Sequence, residues 1–216
     1  MNIMLRTLRW VSLALLVSCS ASPSDDSDAA SSPTAADRAP GAVSTSTTAP
    51  RAPLGTASVG DRFVPGAGNG GIDVQTYSVD LAVDAAGGAG SGSSRVTMIT
   101  TDDIGGFHLD LEGLEVTAVV VDGVPVTFRR TEGELVVELG TTAVAGEELV
   151  VDVEYAGRPA PLVGVVPFTA VGWEQTSWGV RAASPPRGTS TWMPVSGHPS
   201  DPATWSLELL VDDPLV

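Results

Sequence analysis

The sequence predicts an all-β domain, an antiparallel sandwich or one large curved sheet, preceded by a disordered tether. Three observations carry this. Apolar residues recur at alternate positions in one run after another, the period of a half-buried strand. The runs follow one another every roughly 8–14 residues, with Gly, Pro or Asp turns between them. No segment carries a capped helical stripe, so an α/β fold is disfavoured. No self-similarity at solenoid spacing is present.

The first eighteen residues read as an address rather than a fold. Arg6 and Arg9 give a basic start, and Trp10–Val17 is an apolar run broken only by Ser12. It is too short for a bilayer, which takes ~20 apolar residues, and suits a signal-peptide core. Leu16-Val17-Ser18-Cys19 resembles the lipobox of bacterial lipoproteins, which implies cleavage before Cys19 and diacylglyceryl attachment to it. Cys19 is the only cysteine of the 216 residues, so no disulfide forms within one chain. The plain alternative is a secretory signal cut near Ser18-Cys19-Ser20-Ala21. The expected location is the extracytoplasmic face of a cell membrane, with the membrane itself as partner through the lipid.

Residues 19–61 are expected to be the anchor and its linker. They are almost entirely Ser, Thr, Ala, Pro, Asp and Gly, with Val43, Leu54 and Val59 as the larger aliphatics. Such a stretch buries too little apolar surface to offset its ordering entropy. Asp25, Asp26 and Asp28 read as solvating charges. The domain is expected over 62–216.

Its strands are justified in order. Val74, Tyr77, Val79, Leu81 and Val83 nearly alternate, and Gly87–Gly92 is a turn. Arg95–Thr101 is short and β-branched. Phe107, Leu109 and Leu111 share one face, with His108 on the other. Val116–Val121 and Val124–Phe128 flank Asp122-Gly123, a strong hairpin signal. Glu134–Leu139 and Glu148–Tyr155 alternate again, and Trp205–Val211 is the last strand.

Charge and composition exclude several functions. All 11 basic residues are Arg against 26 acids, a net −15, which repels phosphates and argues against nucleic acid. Neither of the 2 His stands in an H-E-x-x-H spacing, so a self-contained zinc peptidase site of that type is absent from the sequence.

Four stretches, in order, resemble the N-terminal β-domain of the aminopeptidase N family of zinc metallopeptidases (gluzincins). They are Pro65–Leu81 (P-G-A-G-N-G-G-I-D-V), Phe107–Leu114 (F-H-L-D-L-E-G-L), Val151–Gly157 (V-D-V-E-Y-A-G) and Thr191–Thr204 (T-W-M-P-V-S-G-H-P-S-D-P-A-T). The resemblance implies a saddle-shaped, mostly antiparallel domain that packs on a thermolysin-like catalytic domain. The zinc ligands of the family lie in that second domain, further along than Val216. No cofactor is therefore expected for these residues themselves, and no catalytic or metal-ligating residue is assigned.

The resemblance also places substrate-binding positions, and here the sequence departs from it. The family's pocket Gln falls on Ala183, and the Glu that binds the substrate's free amine falls on Pro185. Neither side chain accepts a hydrogen bond from an ammonium. The family's Cys, Asp and Lys fall on Val195, Gly197 and Pro202.

Other eye-catching residues have plain readings. His198-Pro199-Ser200-Asp201 is a turn rather than an acid–base pair. Asp102-Asp103 and Asp212-Asp213 are turn residues rather than a calcium loop. Trp173, Trp178, Trp192 and Trp205 are expected as core or as a face that packs on a protein partner. Three functions stay open: a lipid-anchored non-catalytic relative, acting as a binding or remnant module; the N-terminal fragment of a zinc aminopeptidase; and a generic extracellular β-sandwich binding module.

Overall fold

In a computed structural model of the chain, the described residues are 51–212, excepting positions 87, 132 and 168. The expected signal peptide, Cys19 and the tether up to residue 50 lie outside them. Twelve strands follow in the order β1 (Ile72–Val83), β2 (Gly90–Thr100), β3 (Ile104–Asp110), β4 (Glu115–Val121), β5 (Val124–Pro125), β6 (Thr127–Thr131), β7 (Glu134–Ala143), β8 (Glu148–Gly157), β9 (Leu162–Val166), β10 (Thr169–Thr176), β11 (Gly179–Ala183) and β12 (Thr204–Val211). A 3-10 turn at Gly188–Thr191 is the one helical element among the described residues.

Three sheets result. The largest has the order β12-β1-β2-β8-β4-β5, and the others are β3-β7-β6 and β11-β10-β9. All pairs are antiparallel except β1 with β12, which run parallel. The all-β expectation holds, and the one parallel pair refines it.

The alternation read in β1 is real and has a step in it. Ile72 and Val74 are buried, then Tyr77, Val79, Leu81 and Val83. The step of three coincides with a register shift against β2 between Val74 and Thr76. A bulge moves one residue out of the pleat and keeps both apolar sets on the core face. Val96 and Met98 of β2, Val151, Val153 and Tyr155 of β8, and Val119 and Val121 of β4 extend that face. Phe107, Leu109, Leu135 and Val137 of β3 and β7 join them in one buried cluster.

The Asp122-Gly123 turn forms as read. Both residues have positive φ, 50° and 78°, the twist that suits a two-residue hairpin. Asp122 also ties the turn to the neighbouring strand β8, its Oδ1 accepting the Val150 N–H at 2.9 Å.

Two stretches differ from the reading. β2 begins at Gly90, inside the glycine run expected as a turn. The cause is space: a Cβ at Gly92 would lie 2.8 Å from Tyr155 Oη and 2.9 Å from the Asp80 carbonyl. The sheet β9-β10-β11 was not expected. Its strands lie among Pro159, Pro161 and Pro167 and lack a clean period of two.

Hydrogen bonding to the domain also begins before the expected boundary at Arg62. Arg51 donates to the Gly105 carbonyl, Ala52 N–H to Thr142 Oγ1 at 3.1 Å, and Gly55 N–H to the Gly106 carbonyl at 2.9 Å. Residues 51–61 are thus part of the folded unit rather than of the linker.

Candidate functional site

The segment Ala183–Asp201 carries the positions that the resemblance ties to substrate, and its anchoring is built from four places. At its start, Gly188 and Gly172 pass back to back. A Cβ on either would strike backbone or the Thr191 side chain, and Gly172 has a φ of +96°. Thr191 locks the contact: its hydroxyl donates to the Gly188 carbonyl at 2.7 Å and accepts the Trp173 N–H at 2.9 Å.

Further on, Val195 and Asp110 form an isolated antiparallel bridge. Asp110 N–H reaches the Val195 carbonyl at 2.8 Å, and Val195 N–H returns to the Asp110 carbonyl at 3.0 Å. The Asp110 carboxylate then accepts the Gly197 N–H through Oδ2 at 2.8 Å. Between these contacts Tyr77 Oη accepts the Ser196 N–H at 2.9 Å. At the end, Asp201 Oδ1 accepts the Val74 N–H at 3.1 Å, across the bulge of β1. Met193 and Val195 are buried beneath the segment.

The polar groups under this segment are crowded. Asp110 stands opposite Glu134 in the β3–β7 register. Asn69 Nδ2 donates to Glu134 Oε2 at 3.4 Å, and His108 Nδ1 lies 3.8 Å from the same oxygen. Burial, then the charge of Asp110, pushes the Glu134 carboxyl up to about 7. Burial raises Asp110 as well, against the Gly197 N–H and the Arg187 charge. His108 is lowered by burial and by Arg129, which favours the neutral ring. Burial also raises the Tyr77 phenol, so it remains protonated.

This arrangement anchors the segment from below. Among the described residues no group of three His, Cys, Asp or Glu side chains is placed to hold a metal ion. The residues described here therefore do not form the site that the zinc of the resembled family needs.

At the positions that the resemblance ties to substrate, Ala183 and Pro185 are exposed and their side chains offer no acceptor. Gly197 fits its place for a local reason. A Cβ there would sit 2.9 Å from Asp110 Oδ2, so a larger residue would push the anchor aside.

The remaining residues singled out from sequence fall as follows. His198 to Asp201 is a turn, closed by Asp201 N–H on the His198 carbonyl at 3.1 Å. His198 Nε2 faces Asp61 at 3.8 Å and not Asp201. Asp103 Oδ1 accepts the Ala145 N–H at 2.9 Å, and Asp212 Oδ1 accepts the Ala85 N–H at 2.8 Å, each holding a turn of another segment, while Asp213 lies outside the described residues.

The four tryptophans do not share one exposed face. Trp173 is core, 4% exposed, with its indole N–H on the Gly88 carbonyl at 3.2 Å. Trp192 is partly buried. Trp178 is 91% exposed at the β10–β11 turn, and Trp205, on β12, stacks on Tyr77 with ring centroids 4.5 Å apart. Alternation alone did not separate Trp173 from the others.

The polar cluster of Asn69, Asp110 and Glu134 was missed in the sequence. Asp110 was visible only as the polar member of an F-x-L-D-L strand.

Comparisons with known proteins agree with this framework. No protein-family model matches the sequence, and no curated protein matches it. Solved structures do. The M1 zinc metallopeptidase from Deinococcus radiodurans matches at 33% identity with a TM-score of 0.66, over 71% of this chain and 36% of that one. A point mutant of the same enzyme, bound to a Tyr-Ser-Ala substrate, matches equally. A two-domain M1 zinc metallopeptidase mutant bound to L-arginine matches at 33% identity and a TM-score of 0.67. The chain thus spans about a third of the length of these relatives. In fold and in sequence, the chain is related to the M1 zinc metallopeptidases through their N-terminal region, the β-domain that it shares with them.

Proposed function

We propose that this protein is a lipid-anchored, non-catalytic member of the M1 architecture: a β-domain that binds or scaffolds at the cell envelope and does no peptide chemistry of its own. One observation carries the reading. The segment Ala183–Asp201 keeps a dense set of anchors to Tyr77, Asp110 and Val74, while its substrate-linked positions are Ala183 and Pro185. A frame is maintained, and the acceptors an ammonium would need are not in it. Cys19, behind its short apolar run, is the proposed attachment point for lipid.

A second reading is supported by the coverage. The match takes in 36% of the relatives' length at 33% identity, which suits the N-terminal portion of a zinc aminopeptidase. In that reading zinc and catalysis belong to the remainder of the enzyme.

The two parts of the first reading are tested separately, catalysis on the purified protein and anchoring in the native host. The chain should bind no stoichiometric zinc and hydrolyse no aminoacyl-arylamide. One zinc per chain with chelator-sensitive hydrolysis would overturn the non-catalytic role. For anchoring, Cys19→Ala expressed in the native host should move the protein out of the membrane fraction. An unchanged fractionation, with no lipid mass on the parent chain, would overturn the anchor.

A further inference from the structure

One carboxylate oxygen under the segment Ala183–Asp201 lacks a donor. Asp110, 4% exposed, holds the segment by its backbone bridge to Val195 and by Oδ2, which accepts the Gly197 N–H at 2.8 Å. Its other oxygen, Oδ1, is buried, and among the described residues no backbone N–H, hydroxyl, amide or guanidinium group donates to it. A buried polar atom left so is costly. The side chain that meets the Asp110 carboxylate is Glu134, opposite it in the β3–β7 register. Glu134 Oε2 already accepts the Asn69 Nδ2–H at 3.4 Å, which leaves Oε1 as the place for a proton.

We infer that Asp110 and Glu134 hold one proton between them, carried on Glu134 Oε1 and donated to Asp110 Oδ1, and that this proton latches the stretch 195–197 onto β3. With the proton in place, both Asp110 oxygens have a donor and the pair carries one negative charge. When the proton leaves to solvent, two carboxylates face each other in a site that burial keeps poor in water. Their repulsion is relieved when the segment lifts from Asp110 and water reaches both groups.

The groups around the pair do not cancel that repulsion. His108 of β3 has Nδ1 3.8 Å from Glu134 Oε2, but burial and the charge of Arg129 on β6 favour its neutral ring. Arg130 of β6 donates to the Leu111 carbonyl at 2.6 Å. Arg130 and Arg187, the latter just ahead of the 3-10 turn, favour an ionised Glu134, yet less than burial and Asp110 oppose it. Glu112, just beyond β3, adds negative charge beside Asp110, and the Tyr77 phenol stays protonated. The Glu134 carboxyl is accordingly pushed up to about 7.

The direction of the effect follows by linkage. In an open segment Glu134 is in water and ionises in its ordinary range, near 4.5. Opening therefore releases a proton, so its equilibrium constant rises with pH between about 4.5 and about 7 and then levels off. The opening is local, because the anchors broken are those of the segment and the pairing of β1, β2, β8 and β4 does not pass through it. The latch lies within the β-domain and holds for either reading of the function.

The test is amide hydrogen exchange on the full chain with Cys19→Ser, which removes the proposed lipid acceptor. Protection of the Val195, Ser196 and Gly197 amides, corrected for the intrinsic pH dependence of exchange, should fall about tenfold or more between pH 5 and pH 8. It should stay below that of the β8 amides at every pH, the mark of a local opening. Glu134→Gln, whose amide donates to Asp110 Oδ1 at every pH, should give high protection with no pH dependence. Asp110→Asn keeps an oxygen for Gly197 and offers a donor to Glu134, so it too should lose the dependence. Carboxyl-carbon NMR of the parent should show Glu134 titrating near 7. A parent with constant protection, a dependence that survives either substitution, segment amides that exchange only together with those of β8, or a Glu134 carboxyl that titrates in its ordinary range would each overturn the proposal.

Discussion

Asp110 and Glu134 face each other across β3 and β7, one buried and one half-buried carboxyl under the segment that Asp110 also anchors through Val195 and Gly197. Both are raised above the ordinary carboxyl range, first by burial. The folded state therefore keeps a proton on Glu134 where the unfolded chain has released it. By linkage, stability falls as pH rises from about 4.5 toward about 7, the window set by the raised pKa of Glu134. His108 acts with the opposite sign. Its lowered pKa means that the unfolded chain binds the extra proton, so stability is lost as pH falls below its ordinary 6.5.

Glu134→Gln separates the two effects. Gln retains an acceptor for Asn69 and removes the titration. The variant should match the parent near pH 4.5 and gain on it up to pH 8, by on the order of 1–2 kcal/mol after discounting the shift for solvent and for coupling to Asp110. Urea denaturation at pH 4.5, 6 and 8 measures this, and a constant difference between the two proteins would contradict it.

Tyr77 serves two neighbours at once. Its ring stacks on Trp205 and its hydroxyl accepts the Ser196 N–H. Tyr77→Phe keeps the ring and orphans a buried N–H, which costs about 1–3 kcal/mol. A fall in Tm of several degrees is expected, since ~1 kcal/mol shifts a domain of this size by ~2–4 °C. An unchanged Tm would mean that the Ser196 backbone finds another partner.

Gly172 is held where no other residue fits. At φ +96°, with Thr191 against its missing Cβ, Gly172→Ala incurs both backbone strain and a clash. A loss of more than ~2 kcal/mol is expected. The change should also expose Trp173, the next residue, and shift its fluorescence to the red. A native spectrum and a native Tm would contradict the back-to-back packing of Gly172 and Gly188.

Much of the sheet framework was legible in the sequence because period and turn chemistry are local. Tyr77, Val79, Leu81 and Val83 announce their face by spacing, and Asp122-Gly123 announces its hairpin by dihedral preference. What was illegible is long-range. Nothing in the β12 sequence says that it pairs with β1, and in parallel. Trp173 reads like Trp178 until Gly88 and Thr191 are brought to it. The cluster of Asn69, Asp110 and Glu134 joins residues from a loop, the end of one strand and the start of another. In each case the fact depends on a tertiary neighbour. The changes at Ala183 and Pro185 were the exception: they became visible once the family pattern was laid over the chain.

On the proposed reading, Ala183–Asp201 is an intact frame without the side-chain acceptors that the resemblance places at Ala183 and Pro185. A chimera tests it most directly. Residues 51–212 replace the matched N-terminal region of the Deinococcus radiodurans M1 zinc metallopeptidase, and aminoacyl-arylamide hydrolysis is measured with and without the pair Ala183→Gln and Pro185→Glu. The account predicts a folded, zinc-loaded chimera whose kcat/KM is about 10²-fold or more below the parent, as expected when a charge-assisted contact worth ~2–5 kcal/mol is absent. It predicts that the double substitution restores most of that loss. A chimera as active as the parent with Ala183 and Pro185 in place, or a folded one that the double substitution leaves inactive, would contradict it.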